Sequence, residues 1–286
     1  MKYSIGIIGN GFVGSAIAHG FGLHADIRIF DVDSNRSTHP LSEVINNSEF
    51  IFVSVPTPMN SNENGIMDMS IISSVFDEVR TLNARADNVF IIKSTIVPGT
   101  IEKLKEKCPQ LNIIHNPEFL TERNARLDFI NSSRIVLGGE EELTSRVKKL
   151  FRVRFPFVKI IETDATTAQF IKYMVNCFFS TKISFMNEMK QAADKLNIDW
   201  NKAMDGFVSD GRIGNSHLDV PGHDGLLGFG GKCFPKDLNA FINLFESIGI
   251  NPAVMKATWE KNLEVRGSQK KVQTGRPIRA RTIKIR

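Results

Sequence analysis

The stretch IIGNGFVGSAIAHG, residues 7–20, constrains the fold more than any other. It sets Gly9, Gly11 and Gly14 in GxGxxG spacing, directly after a β-branched run and at the start of a helical pattern. The first glycine permits a tight turn, the second lets a pyrophosphate approach the backbone, and the third lets helix and strand pack closely. A helix opening at Phe12 and Val13 then points its first amides at the phosphates. The spacing alone is a weak signal, but Asp31 follows at the end of the next strand pattern, where a carboxylate suits ribose hydroxyls and repels a 2′-phosphate. Arg36 is the residue that would receive such a phosphate. The pattern favours NAD over NADP, held by Gly9, Gly11, Phe12, Val13, Gly14, Asp31 and Arg36.

Downstream, short β-branched runs alternate with helical patterns. YSIGII, DIRIFD, FIFVSV, NVFIIKS, NIIHN, RIVLGG and FVKII read as strands, with GSAIAHGFG, MSIISSVFDEVRTLN, GTIEKLKEK and EEELTSRVKKLF as helices between them. Such alternation predicts an α/β fold with a Rossmann-type, doubly wound parallel sheet. The pattern changes at Asp164, where roughly thirty residues run without Gly or Pro and a single long helix of about 45 Å is expected, capped by Asp164 or Thr163. Further helices are expected at NIDWNKAMDGFVSD, LNAFINLFESIG and PAVMKATWEKNLEVR, with a long glycine-rich loop in between. Three segments follow: a dinucleotide-binding domain at 1–163, a smaller all-helical domain at 164–266, and a basic, poorly ordered tail at 267–286.

Basic residues number 36 against 31 acidic ones, and the tail accounts for the excess. A basic stripe spread over a folded face, as nucleic-acid binding requires, is not seen. The three cysteines, Cys108, Cys177 and Cys233, are an odd number and far apart, which argues against a disulfide framework or a zinc motif and fits the cytoplasm. No apolar run reaches membrane-spanning length.

Cys233 stands in GFGGKCFPKD, residues 228–237, among glycines, Lys232, Lys236 and Asp237. This is either a glycine-rich turn that happens to hold a cysteine or the setting of a nucleophile, since nearby cations favour the thiolate. Polar residues also gather where strands end, in SVPTP (54–58), KSTIVPGT (93–100) and NPEFLTERNARLDF (116–129). Ligands of such sheets bind beyond the carboxyl ends of the strands. On the long helix, Lys172 and Asn176 are four apart and share one face, among apolar neighbours.

NPEFL, Lys172 with Asn176, and GFGGKCFPKD, in this order, resemble the UDP-glucose/GDP-mannose dehydrogenase family over residues 1 to about 266. The resemblance implies a metal-free oxidation of the sugar C6 hydroxymethyl to a carboxylate with two NAD, UDP-glucose being the substrate favoured by GRIGNSHLDVPGHDG. Cys233 matches the nucleophile that forms a thiohemiacetal and then a thioester. Lys172 and Asn176 match the pair that stabilises the oxyanion, and Glu118 is the candidate base for the hydrolytic water. Thr95 and Asp237 would hold that water or a proton. Thr57, Glu122 and Lys236 match positions near the cofactor. Phe119, Leu120, Arg212, His217, Phe229 and Gly230, with Glu118, Lys172 and Asn176, lie where the family binds its nucleotide sugar.

Family members commonly continue past the helix ending near Arg266 into a domain that covers the nucleotide, so the expectation is a member lacking that domain. A partner subunit or the tail's arginines would then close the site. Arg123 and Asn124, and the proline of STIVPGT, depart from the family pattern near Glu122. The resemblance also implies a homodimer or larger assembly through the long helix, and a place in polysaccharide biosynthesis. Three other readings stand beside it: another nucleotide sugar, such as GDP-mannose; a 6-phosphogluconate-type hydroxyacid dehydrogenase, which needs no cysteine; and a binding protein without turnover.

Overall fold

Seven runs rich in β-branched and aromatic residues form the strands: β1 Tyr3–Ile8, β2 Ala25–Phe30, β3 Phe50–Val53, β4 Val89–Ile92, β5 Asn112–His115, β6 Arg134–Gly138 and β7 Lys159–Thr163. They make one sheet in the order β2-β1-β3-β4-β5-β6-β7. The computed structural model describes residues 2–59, 66–82 and 84–267. β3 and β4, FIFV and VFII, are buried at every position, as strands covered on both faces must be.

Side chains alternate across the pleat, so each strand feeds two apolar layers. Ile5, Ile7, Phe50, Phe52, Val89 and Ile91 pack on one face beneath α1 Phe12–Phe21, α5 Ala125–Ile130 and α6 Glu141–Arg154. Ile8, Ile51, Val53, Phe90 and Ile92 pack on the other beneath α2 Leu41–Asn46, α3 Ser70–Thr81 and α4 Thr100–Lys107. Phe21 anchors the first layer, edge-on to Phe129, Phe151 and Phe155 with centroids 5.6–6.2 Å away. α2 and α5 are each only 6 residues long and occupy stretches that read as connections in the sequence.

The sheet is not wholly parallel. β1 to β5 run parallel, β5 meets β6 antiparallel through His115 and Gly138, and β6 and β7 are parallel to each other. A parallel strand requires a crossover to the opposite end of the sheet. The segment between β5 and β6, residues 116–133, instead returns at the end where it left, and so reverses β6.

The helical remainder is α7 Ala165–Lys195, α8 Trp200–Val208, α9 Phe234–Ser247 and α10 Ala253–Gly267. α7 runs for 31 residues, and Asp164 is its cap, accepting from the Thr167 amide at 2.8 Å and the Thr167 hydroxyl at 2.6 Å. By compactness the chain forms two units: one holds the residues up to Cys177 together with Lys236–Asn251, the other Phe178–Pro235 with the described residues from Pro252 onward. This division by compactness falls inside α7, because the first turns of that helix pack with the sheet layers through Ala165 and carry buried partners of the NPEFL loop. α9 also starts earlier than its sequence pattern, at Phe234. Of the basic tail, residues 268–286 lie outside the described residues. Among the described residues no helix is long and apolar enough to cross a membrane.

The cap gives a stability test. Asp164→Ala removes both acceptors for Thr167 and is expected to cost about 1 kcal/mol in chemical denaturation, whereas Asp164→Asn should retain most of it.

Candidate active site

At the end of β1 the chain turns at Gly9, which has φ +91°. The Gly9 amide donates to the Phe30 carbonyl at 2.9 Å, tying the turn to β2. Just beyond β2, Asp31 holds the turn from the other side: its carboxylate accepts from the Asn10 amide at 2.6 Å and the Asp33 amide at 2.9 Å. Asn10 in turn donates to the Arg36 carbonyl at 2.8 Å, while the exposed Arg36 guanidinium pairs with Asp33 at 3.3 Å. The turn, Asp31 and Arg36 thus form one local structure, with Phe12 and Val13 in the first turn of α1.

Further along the sheet edge, the hydroxyl of buried Thr57 donates to the Thr95 carbonyl at 2.8 Å, joining the loops after β3 and β4. The loop after β5 carries Glu118, Phe119 and Leu120. Glu118 is 5% exposed, and its carboxylate accepts from the Leu120 amide at 2.6 Å and the Lys172 ammonium at 3.1 Å. Lys172 also donates to the Glu118 carbonyl at 2.5 Å. The Phe119 ring lies near two cations, with the Arg134 guanidinium 4.2 Å and the Lys172 ammonium 5.5 Å from its centroid.

One turn beyond Lys172, Asn176 donates to the carboxylate of Asp237 at 2.6 Å, and Lys236 pairs with the other oxygen of Asp237 at 2.7 Å. Asp237 is fully buried. Tyr173, between the two polar residues, stacks on Phe241 with centroids 5.0 Å apart and donates to the Met67 sulfur, so its phenol is part of the packing. Burial, followed by the charge of Asp237, pushes the Cys177 thiol up to about 12. Glu118, Lys172, Asn176, Lys236 and Asp237 therefore gather in the first unit. Glu122 is exposed, in a single-turn helix, Glu122–Asn124.

The second unit holds the remaining candidates. Cys233 is half-buried and immediately precedes α9. The preceding glycine run is held by two buried asparagines: Asn187 accepts from the Gly228 amide at 3.0 Å and Asn262 from the Phe229 amide at 2.7 Å. Phe229 itself is 3% exposed and packs against Phe234 and Trp259, so its ring belongs to the core. A side chain at Gly230 would meet the Arg266 guanidinium at 2.7 Å, and Arg266 pairs with Asp224 at 2.8 Å. His217 stacks on Phe179 at 3.9 Å, and burial, then the charge of Lys182, holds its imidazole below the usual range. Arg212 is exposed and bound in two-pronged fashion to Asp210.

Comparison with known proteins decides the family. Residues 34–154 match the NAD binding domain and residues 166–264 the central domain of the UDP-glucose/GDP-mannose dehydrogenase family. The chain belongs to that family. It is similar to the UDP-glucose 6-dehydrogenase of Rickettsia bellii, 34% identical over 231 residues, which make up 78% of this chain and 51% of that one. With UDP-glucose 6-dehydrogenase TuaD of Bacillus subtilis it shares 30% identity over 235 residues, 79% of this chain and 48% of the relative. It spans about half the length of the curated relatives it matches. A solved UDP-glucose dehydrogenase from Pyrobaculum islandicum superposes with a TM-score of 0.79 at 27% identity, over 92% of this chain and 68% of that one. The fold is shared with a 3-hydroxyisobutyrate dehydrogenase of Mycobacterium tuberculosis, TM-score 0.75 at 17% identity, over 94% of this chain and 95% of that one.

The glycine turn of this dehydrogenase-family chain fits the NAD that its N-terminal domain binds. A side chain at Gly14 would sit 2.0 Å from the Gly9 carbonyl, so Gly14 is required by close packing. A side chain at Gly11 would meet nothing within 4 Å. That open space at the N-terminus of α1 is where a pyrophosphate would approach, and the carboxylate of Asp31 would be the acceptor for a ribose.

Several buried partners of these candidates show in the sequence as no more than polar positions. Lys93, the first residue after β4, is buried beside the NPEFL loop, where it donates to the Asn116 side chain at 2.9 Å. Asn187 and Asn262 bind a loop 33–41 residues away in sequence. Asn187 lies three helical turns from Asn176, and that periodicity was the one trace available.

The two glycines separate packing from ligand approach. Gly14→Ala is expected to cost on the order of 2 kcal/mol of stability. Gly11→Ala, whose backbone is extended at φ −72°, should leave the melting temperature close to wild type and weaken NAD binding about tenfold in calorimetric titration.

Proposed function

We propose that this chain catalyses the NAD-dependent, four-electron oxidation of the C6 hydroxymethyl of a nucleotide sugar, with UDP-glucose converted to UDP-glucuronate. The observation that carries the reading is the buried polar face of α7, where Lys172 is bound to Glu118 and, one turn on, Asn176 to Asp237. Buried polar groups are costly and need a reason to be there. Conversion of a primary alcohol and water to a carboxylate removes four electrons, and NAD, when bound, accepts a hydride in each of two oxidations.

Within this scheme Cys233 is the nucleophile. Its sulfur adds to the C6 aldehyde and forms a carbon–sulfur bond, giving a thiohemiacetal, and loss of a second hydride from that carbon leaves a thioester. Water then attacks the thioester carbon and the thiolate departs. Negative charge builds on the C6 oxygen in each tetrahedral species, and the Lys172 ammonium and Asn176 amide are donors suited to it. Glu118 takes the proton of the attacking water, with Asp237 fixing Asn176 and Thr95 assisting. Thr57, Glu122 and Lys236 are carried as cofactor neighbours, and Phe119, Leu120, Arg212, His217, Phe229 and Gly230 as substrate contacts. For Phe229 the backbone carbonyl is the group available, since its ring is packed and its amide is bound. A half-buried thiol of this kind fits the reducing cytoplasm.

Cys233→Ser should lose steady turnover by a factor of about 10³ or more. The wild type should yield two NADH for each UDP-glucose consumed, measured by absorbance. One NADH per substrate would instead fit a simple hydroxyacid dehydrogenase on the same fold. Turnover with GDP-mannose alone would keep the chemistry and change the sugar. NAD binding with no turnover would leave a binding protein.

Assembly through α7 is proposed as well. Phe170, Met174, Phe178 and Phe185 are 41–61% exposed along that helix, an apolar stripe suited to a second copy. Phe178→Asp is expected to convert a dimer to a monomer in sedimentation at micromolar concentration, and an unchanged mass would refute the assignment of this face.

A further inference from the structure

Lys93 directly follows β4, is 5% exposed and binds the start of the NPEFL loop, whose Glu118 is bound by Lys172. The Asn116 side-chain amide donates to the Val136 carbonyl at 2.7 Å, which fixes its oxygen toward Lys93. Lys93 accordingly donates to that oxygen at 2.9 Å and to the Pro117 carbonyl at 3.4 Å. Two lysines therefore grip the three residues Asn116, Pro117 and Glu118, one at each end. A neutral lysine amine has two N–H groups, matching these two acceptors, whereas an ammonium has three.

Lys93, Lys172 and Glu118 place two cations and one carboxylate in one buried cluster. The other titratable groups facing Lys93 do not redress that balance. His115, fully buried, is pushed down to about 3 chiefly by burial and is neutral. Arg134 and Asp128 line, with Lys93, a cavity of ≈ 230 Å³. Asp128 is engaged by the Thr121 amide at 2.7 Å. Burial is the main force on Lys93 itself, holding it down at about 7 despite the attraction of Glu118. The cavity gives the proton it loses a route to water.

We infer that Lys93 is a further positioning residue of this site, clamping the loop that carries Glu118 and shedding its own charge when Glu118 is called on to take a proton. The inference rests on the assignment of Glu118 as the hydrolytic base. Once Glu118 is neutralised, Lys93 and Lys172 are two like charges in one buried cluster, and the step is easier when Lys93 is already neutral. Below about pH 7 Lys93 carries its proton and opposes the step; above it, the opposition is gone.

Two arms test this. In the first, steady-state kcat is followed against pH for wild type, Lys93→Arg and Lys93→Gln, with melting temperatures to confirm folding. The wild type should rise about tenfold through an inflection near pH 7. Lys93→Arg, always charged, should stay at the low level without that inflection, and Lys93→Gln, never charged but still a donor, should lose the inflection and exceed Lys93→Arg. A wild-type profile in Lys93→Arg overturns the proposal.

The second arm needs no turnover. Protein labelled with ¹³C at the lysine ε-carbon is titrated by NMR, the Lys93 signal being the one lost in Lys93→Arg. It should titrate near pH 7 in the wild type and lower in Glu118→Gln, where the attracting charge is removed. A signal that titrates above pH 9, or that ignores Glu118→Gln, overturns the proposal. If no sugar nucleotide is turned over, the functional assignment fails by itself, and the NMR arm still decides whether the two groups are coupled.

Discussion

Four ionisable side chains, Lys93, Glu118, Lys172 and Asp237, are each no more than 5% exposed in the first unit, and its polar architecture follows from how their charges are met. A charge taken out of water costs several kcal/mol unless it is paired and hydrogen-bonded. Each has a partner on another element or loop: Lys172 of α7 on the loop after β5, Asp237 of α9 on Asn176 of α7, and Lys93, just after β4, on Asn116 and Pro117. The pairs bind β4, the NPEFL loop, α7 and α9 to one another at defined atoms. Apolar residues of like volume would hold the same elements at least as firmly. The gain from charged groups is orientation, since a carboxylate and an amide fixed at their bonded atoms present defined directions to anything that approaches.

Much of this unit was legible because its signals are local. The glycine turn, the alternation of β-branched runs with helical patterns, and the cap of α7 each depend on residues within a few positions of one another. The Lys172–Asn176 pair was legible for the same reason, a four-residue spacing on one helix. Its partners were not, because Glu118 and Asp237 are 54 and 61 residues away. The family resemblance supplied them as roles, without the bonds that the structure gives them. The reversal at β6 was hidden because β-branched strands look alike in either direction. Lys93 read as a polar residue at a strand end, and only the fold shows that the strand end is covered.

The glycine-rich run of the second unit has a different logic. Gly228 has φ +67°, and a side chain there would meet the Asn262 oxygen at 2.4 Å. The asparagine that binds the Phe229 amide is therefore the same group that excludes a larger residue at 228. At Gly230 it is the Arg266 guanidinium that requires the close approach. These glycines are small because the backbone is pressed against the helices α7 and α10, and the loop leading to Cys233 is held by its main chain. A main chain bound in this way fixes the loop whatever its side chains do.

Burial separates the three cysteines, which the sequence presents as equals. Cys108 is fully buried and its thiol is pushed up, chiefly by desolvation. Cys177 adjoins Asn176, yet burial and the negative charge of Asp237 keep its proton in place. The carboxylate that orients the Asn176 amide thus also quiets the thiol next to it. Since the thiolate is the nucleophilic form, a thiol kept protonated in this way is a poor nucleophile. Asp237 thus quiets Cys177 by the same charge with which it holds Asn176, and of the three thiols Cys233, half-buried at the head of α9, is the least enclosed.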